Sequence, residues 1–386
     1  MATEVLTDVS GVVYRESYRL VPADLGLAGP WSIAKERLGG GRRDGVDVVH
    51  VDNGRLAFTV IPTRGMGLWQ ASCRGDRVGW TSPVVDGPVN PAYVQLSNWG
   101  GLGWLDGFDE LMVRCGLESN GPPFEEAGRT YTLHGRIANI PAAYVAVEID
   151  ESTGEITVEG RVDEVRYGGV KLRLTTRITT TPDSNRLTVR DEVTNVGDTP
   201  AHYQLLYHWN LGPPHLEAGS RFDAPVRWVG PRDVRAAEGI NHYSIYEAPT
   251  PGFAEQAYYF ELHGEGPTRR TLAMLCNRAA DKGIALRFDA ADLPAFTLWK
   301  STGGLAEGYV TGLEPATGYP NPRPFEQRQG RLAPLGPGES RVAETTMQVL
   351  GTAGEVAEVE GEIRALQAMG SRVVRPRPSE PFAIEA

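Results

Sequence analysis

The sequence predicts an all-β protein of mostly antiparallel strands with few helices, and three observations lead to this fold class. Turn-forming residues, 46 Gly and 28 Pro, are spread along all 386 residues. Runs rich in Val, Ile, Leu and Thr alternate with polar residues at period two, which is the pattern of a half-buried strand. Only one stretch has a clear helical period. Two packed sheets would bury the alternating faces.

The strand predictions follow in chain order. Residues 46–62 contain an Asn53-Gly54 turn between two strand-like runs, which is a strong hairpin signal. Residues 155–165 alternate, and 170–197 read as two strands joined by a Pro-Asp-Ser-Asn turn. Further strands are predicted at 201–208, 257–263, 271–276, 283–288, 295–300, 308–313 and 341–350.

The one helical pattern covers residues 353–370. Val356, Val359, Ile363 and Leu366 fall on one helical face, and Gly370 is a plausible stop. No linker divides the chain. We therefore expect an N-terminal extension (1–44) packed on one large β-sandwich (45–350), followed by a C-terminal helix and tail (351–386).

Composition excludes several classes of protein. A net charge of −11 disfavours non-specific nucleic-acid binding, which needs clustered Lys and Arg. No apolar run reaches the ~18 residues of a membrane span. The first residues lack the basic and apolar segments of a secretory signal, and the three cysteines are widely spaced. We expect a cytoplasmic protein without nucleic-acid or membrane partners.

Three polar residues sit where a predicted strand meets a loop. His134 precedes a glycine in LHGRI, His208 lies near the end of a strand in YHWNLG, and Glu314 precedes a proline in GLEP. Asn210 shares a strand face with His208, since residues two apart point the same way. Any one of these residues alone is more often structural than catalytic, so their combination carries the functional argument.

That combination resembles the galactose mutarotase-like (aldose 1-epimerase) superfamily. The matching segments are IPTRGMGL (61–68), LHGRI (133–137), YHWNLG (207–212), GLEPATGYPNP (312–322) and LGPGESRVAETTMQV (335–349), in the family's order over about residues 45–350. In this chain the asparagine follows the second histidine by two residues rather than the usual four. The segments 106–123, 208–214 and 298–304 resemble a divergent branch of largely unassigned function. The resemblance implies a galactose mutarotase-like β-supersandwich.

The resemblance also implies roles. Glu314 would be the catalytic base, His208 the catalytic acid, and His134 would bind and polarise sugar oxygens. Asn210 and Arg64 would hold hydroxyl groups of a sugar.

Further residues near these motifs could contact the substrate. Arg136 and Lys300 could bind a carboxylate, sulfonate or phosphate group, although an ordinary surface charge is the competing interpretation. Four tryptophans could stack on a sugar, although core packing is more frequent for each. They are Trp99, Trp104, Trp209 and Trp299.

Three functions therefore compete. The first is an aldose 1-epimerase-like isomerase (a mutarotase of carbohydrate metabolism) that interconverts the anomers of a sugar with a Glu/His pair and no cofactor. The second is an isomerase, epimerase or lyase that abstracts a carbon-bound proton from a keto-sugar or uronate, assisted by a metal on His134, His208 and Glu314 or by a cationic side chain. The third is a non-catalytic carbohydrate-binding protein. In each case the partner is a small carbohydrate, and open sheet edges would allow a homodimer.

Overall fold

The computed structural model of the chain describes residues 2–126 and 128–385. It divides into two compact units. Unit 1 comprises residues 2–76, 84–204 without residue 127, and 333–344. Unit 2 comprises residues 77–83, 205–332 and 345–385. The predicted division into an extension (1–44), a β-sandwich (45–350) and a C-terminal helix and tail (351–386) stays a prediction.

Strands are the main regular secondary structure of the described chain. The first fifteen are β1 (Ala2–Asp8), β2 (Val13–Tyr14), β3 (Tyr18–Leu20), β4 (Ser32–Arg37), β5 (Asp47–Asp52), β6 (Leu56–Ile61), β7 (Gly67–Cys73), β8 (Asp76–Val78), β9 (Met112–Leu117), β10 (Phe124–Glu126), β11 (Arg129–Tyr131), β12 (Tyr144–Ile149), β13 (Ile156–Val165), β14 (Lys171–Thr180) and β15 (Arg186–Asn195). The next eleven are β16 (Ala201–Leu211), β17 (Arg221–Asp223), β18 (Val226–Pro231), β19 (Gln256–Leu262), β20 (Arg270–Cys276), β21 (Gly283–Asp289), β22 (Ala295–Thr302), β23 (Tyr309–Ala316), β24 (Ala333–Leu335), β25 (Ser340–Leu350) and β26 (Val373–Val374).

Helices are few, as the sequence predicts. The α-helical segments are α1 (Asn98–Gly101), α2 (Val234–Glu238), α3 (Arg323–Arg328) and α4 (Ala353–Gln367). Single 3₁₀ turns cover Pro22–Leu25, Gly41–Arg43, Pro62–Arg64, Pro91–Tyr93, Gly103–Gly107, Ile137–Asn139 and Leu305–Glu307. No helix among the described residues is long and apolar enough to cross a membrane.

Unit 1 contains two runs of antiparallel strands, in the orders β15-β14-β13-β12-β1-β2 and β9-β7-β6-β5-β4-β3, and the hairpin β10-β11. The predicted hairpin is present, because β5 and β6 pair on either side of Asn53-Gly54 and Gly54 takes a positive φ of 94°. Alternate residues of β13, β14 and β15 are buried, so one face of this sheet forms core. Strand β1 pairs with β12, which incorporates the start of the predicted N-terminal extension into the sheet.

A buried ion pair crosses the interior of unit 1. Arg114 on β9 donates from Nε to Asp191 Oδ2 on β15 at 2.6 Å, and both side chains are fully buried. The same guanidinium donates to Thr176 Oγ1 and to the backbone oxygens of Gly65 and Met66. Because the surrounding groups satisfy the guanidinium on every side, the charge is tolerated within the core.

Unit 2 contains the strand orders β17-β20-β21-β25 and β26-β18-β19-β22-β23-β16. Helix α4 packs on β20 and β21 through Val356, Val359, Ile363 and Leu366, the four residues that the helical period places on one face. Thr352 caps its first turn by accepting a hydrogen bond from the backbone of Glu355. The helix ends at Gln367, before the predicted stop at Gly370.

We predict that Arg114→Met lowers the free energy of unfolding by about 3–5 kcal/mol, because it leaves Asp191 charged and unpaired in the core. The double variant Arg114→Met with Asp191→Leu should recover most of that loss. Urea unfolding followed by circular dichroism measures both. Arg190→Gln, at a partly exposed arginine, is the control and should change stability by less than about 0.5 kcal/mol. Equal losses in the single and double variants would contradict this account.

Candidate acid–base site

Three neighbouring strands of unit 2 bring polar side chains onto one sheet face. Strand β16 pairs with β23 so that Trp209 lies opposite Leu313 and Asn210 opposite Gly312, which places His208 opposite Glu314. On its other side β23 pairs with β22, and Thr297 lies opposite Glu314. Directly opposed residues share a face. The predicted acid and base are therefore cross-strand neighbours, although 106 residues separate them in the chain (314 − 208).

The imidazole and the carboxylate are in contact. His208 Nε2 lies 3.1 Å from Glu314 Oε1, and their side chains are only 5% and 3% exposed. Glu314 Oε1 has no well-aligned hydrogen-bond donor among residues 2–126 and 128–385. The contact is thus a close approach of two ionisable groups rather than a directed hydrogen bond. One carboxylate oxygen retains its capacity to accept a proton from a ligand.

Asn210 fixes the orientation of the histidine. Its Oδ1 lies 2.7 Å from His208 Nδ1, and its Nδ2 donates to the His208 backbone oxygen. An amide oxygen is only an acceptor, so Nδ1 carries the hydrogen and Nε2 is the nitrogen turned toward Glu314. The proton relevant to chemistry therefore resides on Nε2 or on Glu314. The structure places Asn210 on the histidine, and its role in holding a sugar hydroxyl stays a prediction.

Burial dominates the electrostatics of Glu314. Removal from water raises the pKa of its carboxyl well above the usual range, and the nearby charge of Glu255 raises it further. Arg232 acts in the opposite direction and lowers it. A carboxylate whose pKa is raised holds a proton more strongly than an ordinary glutamate, as a general base near neutral pH requires.

Several polar residues on this face were not predicted from the sequence. Thr297, 1% exposed, has no hydrogen-bond partner for its hydroxyl among the described residues. The ring of Trp299 meets the His208 ring edge-on at 5.3 Å. Its indole Nε1 donates to Glu255 Oε2 at 2.7 Å, and Arg232 Nη2 donates to Glu255 Oε1 at 2.9 Å. Thr297 lies two residues before Trp299 and therefore shares its strand face. That spacing was the only local sequence signal that could have placed Thr297 at the site.

Gly312 leaves space for the pair. A Cβ at this position would lie 2.5 Å from Glu314 Oε1 and 3.0 Å from His208 Cε1. Any side chain here would displace the carboxylate or the imidazole. The glycine of the GLEP segment is therefore required by packing against the two ionisable groups.

Two other predicted residues of unit 2 do not reach this face. Trp209 is fully buried and alternates with His208 and Asn210, so its ring points to the opposite side of the sheet. Lys300 alternates with Trp299 in the same way and donates from Nζ to the Ile245 backbone oxygen at 2.6 Å. Burial lowers the pKa of Lys300 to about 8. Their sugar-binding roles stay predictions, and the geometry gives both residues packing contacts instead.

The remaining predicted residues belong to unit 1. His134 adopts a positive φ of 58°, its Nδ1 lies 2.9 Å from the Asn120 backbone oxygen, and its ring contacts Trp104 edge-on. Arg64 is fully buried and donates to Glu110 Oε1 at 2.6 Å. Arg136, by contrast, is exposed.

No group of three or more His, Cys, Asp or Glu side chains that could hold a metal ion occurs in the described part of the chain. The conditional metal set of His134, His208 and Glu314 is not among such groups.

Comparison with known proteins defines the class. The fold is that of the galactose mutarotase-like proteins, and the chain belongs to the family described as a domain of unknown function (DUF4432), whose profile matches residues 43–349. A crystal structure from Klebsiella pneumoniae, of a protein named provisionally as an aldose 1-epimerase, is 36% identical over 100% of both chains with a TM-score of 0.95. No curated protein gives a match.

Two more distant structures share the fold alone. A protein named provisionally as an aldose 1-epimerase from Escherichia coli K12 is 15% identical, with 79% of this chain and 99% of the other covered and a TM-score of 0.53. A galactose mutarotase-like protein from Clostridium acetobutylicum is 14% identical, with 83% and 98% covered and a TM-score of 0.57. The all-β, mutarotase-like fold predicted from the sequence is confirmed.

We predict that Thr297→Val leaves the stability unchanged or raises it by up to about 1 kcal/mol, because it removes a buried hydroxyl that lacks a partner. Thr311→Val is the matched control in the same sheet. The Thr311 hydroxyl contacts the Tyr246 hydroxyl and the Trp299 backbone oxygen, both at 2.7 Å, so its loss should destabilise the protein by about 1–3 kcal/mol. Thermal unfolding measures both variants. Equal destabilisation would mean that Thr297 has a partner in the folded protein.

Proposed function

We propose that the protein is an aldose 1-epimerase-like isomerase that interconverts the anomers of a sugar or sugar derivative by acid–base catalysis. One observation carries the proposal, namely the direct contact between His208 Nε2 and Glu314 Oε1 on one sheet face. The name of the Klebsiella pneumoniae relative supports the same reaction class. The chemistry requires no redox cofactor.

The reaction needs one base and one acid at the anomeric carbon. Glu314 accepts the proton of the C1 hydroxyl while His208 donates the Nε2 proton to the ring oxygen, so the C1–ring oxygen bond breaks and a carbonyl forms. Rotation about C1–C2 presents the other face of the carbonyl. The same two protons then return in reverse, and ring closure gives the other anomer. Both reacting oxygens are bonded to one carbon, so neighbouring catalytic groups can reach them together.

The surroundings of the pair suit this exchange. Asn210 Oδ1 at 2.7 Å from Nδ1 stabilises the imidazolium that donates the proton. Thr297 supplies a buried hydroxyl with unused hydrogen-bonding capacity beside the base. The Trp299 ring, fixed through Glu255, offers an apolar surface next to the histidine. We assign Thr297 and Trp299 to substrate binding and Asn210 to positioning.

The residues of unit 1 enter the proposal through the resemblance. His134 would bind a sugar oxygen, and the contact of its Nδ1 with the Asn120 oxygen selects Nε2 as the nitrogen with the lone pair. Arg64 would act on hydroxyl groups, although its fully buried ion pair with Glu110 also supports a structural role.

We predict that Glu314→Gln and His208→Ala each slow anomer exchange by about 10²–10⁴-fold, the usual contribution of one well-placed acid or base. NMR exchange spectroscopy in deuterated water, on a panel of aldoses, uronates and keto-sugars, measures the rate after subtraction of spontaneous exchange. Thr311→Val serves as the control for a general loss of stability. Deuterium appearing at a carbon-bound position would instead establish carbon-acid chemistry, and EDTA sensitivity would then indicate a metal. Sugar binding without turnover in the wild type would support the binding-protein alternative.

A second prediction concerns pH. Glu314 must be deprotonated to act as the base, and burial raises its pKa, so kcat/KM should rise with pH through a value well above the ~4.3 of an ordinary glutamate. An acidic limb at the ordinary glutamate value would contradict the role of Glu314.

A further inference from the structure

Unit 1 contains a cavity of about 410 Å³ that the proposed acid–base chemistry does not use. Its walls are the loop 94–97, the segment after β9, the strand β11 with the turn that follows, and the end of β13. The volume lies within the range of small-molecule sites. Every residue that lines it belongs to unit 1.

Three arginines line this cavity, and only one of them forms an ion pair with another described residue. Arg129 is paired with Glu118, with 2.6 Å between Nη1 and Oε1, and its guanidinium lies 4.2 Å from the centre of the Tyr131 ring. Arg136 and Arg166 form no side-chain hydrogen bond or ion pair with any of residues 2–126 and 128–385. Two guanidinium groups that line the cavity thus have unused donors.

Two buried polar groups lie on the same walls. Ser119 is 2% exposed, and its hydroxyl has no hydrogen-bond partner within the described part of the chain. Glu164 is also 2% exposed, and it accepts a hydrogen bond from the Leu117 backbone at 2.7 Å. A buried hydroxyl without a protein partner costs stability, which makes the Ser119 hydroxyl a candidate contact for a ligand in this cavity.

We propose that this cavity binds a small anionic ligand whose carboxylate or phosphate group is held by Arg136, Arg166 and the Ser119 hydroxyl. Guanidinium groups bind both anions through pairs of parallel N–H···O hydrogen bonds, and these are stronger than neutral hydrogen bonds. The paired Arg129–Glu118 groups and the Tyr131 ring form the wall for the remainder of the ligand. Binding of this ligand involves neither His208 nor Glu314, and it can be measured without turnover.

Glu164 makes the proposed binding depend on pH. Burial is the main cause that raises the pKa of Glu164 to about 7, and the neighbouring charge of Glu118 adds to it. The Leu117 hydrogen bond and the charges of Arg136 and Arg129 act in the opposite direction. Protonated Glu164 can donate to a bound anion, whereas the carboxylate repels it. Affinity for a carboxylate ligand should therefore decrease as the pH rises through about 7.

Isothermal titration calorimetry of the whole chain tests the proposal with three probes: inorganic phosphate, D-gluconate and the uncharged analogue D-sorbitol. We expect saturable binding of phosphate, gluconate or both, and none of sorbitol. Binding of one anion and not the other would identify the ligand class. Arg136→Gln and Arg166→Gln should each weaken it about tenfold or more, since each removes a charged hydrogen-bond donor. Arg190→Gln, at a partly exposed arginine of the same unit, should leave the affinity unchanged.

Two further variants test the charge at position 136 and the role of Glu164. Arg136→Lys retains the charge and should bind with intermediate affinity. Glu164→Gln retains the acceptor for Leu117 and should abolish the pH dependence of gluconate binding, because the gluconate carboxylate itself does not titrate near neutral pH. Thermal unfolding establishes that each variant is folded. Absence of binding for both anions, equal binding of sorbitol, or undiminished affinity in both the Arg136→Gln and Arg166→Gln variants would overturn the proposal.

Discussion

The antiparallel register of β16, β23 and β22 is the constraint on which the candidate site depends. It places His208 opposite Glu314 and Glu314 opposite Thr297. A shift of one residue between β16 and β23 would send Glu314 to the other face of the sheet, since side chains alternate at period two. Gly312 reinforces this arrangement, because a side chain there would collide with both ionisable groups. The backbone hydrogen bonds of the sheet therefore hold the acid and the base together before any ligand arrives.

This preorganisation has a cost in stability. A carboxylate removed from water is unfavourable unless it is paired and hydrogen-bonded, yet Glu314 Oε1 has no aligned donor in the described structure. The Thr297 hydroxyl on the neighbouring strand also has no hydrogen-bond partner among the described residues. Rigid strands can tolerate such groups because neighbouring packing offsets the penalty. Buried polar groups without a hydrogen-bond partner are unfavourable in a purely structural site. They are retained where a bound ligand supplies the missing hydrogen bond.

Local pattern predicted much of the fold but only part of the site. The Asn53-Gly54 hairpin and the buried face of α4 follow from short-range chemistry, and both are present. The shared face of His208 and Asn210 was also predictable, since it depends on two residues of one strand. Thr297 and the contacts among Trp299, Glu255 and Arg232 were not, because they depend on the register between strands. No single-strand pattern contains that information.

Buried charges in this protein fall into two kinds, and the difference separates structure from function. Arg114 with Asp191 and Arg64 with Glu110 are fully buried ion pairs, each with short contacts between opposite charges. Glu314 and Glu164 are buried carboxylates that form no ion pair with an arginine or lysine among the described residues, and burial raises the pKa of both. A buried carboxylate paired with an arginine stays charged, whereas one whose pKa is raised can take up and release a proton closer to neutral pH. The same criterion identifies the acid–base pair of unit 2 and the arginine-lined cavity of unit 1.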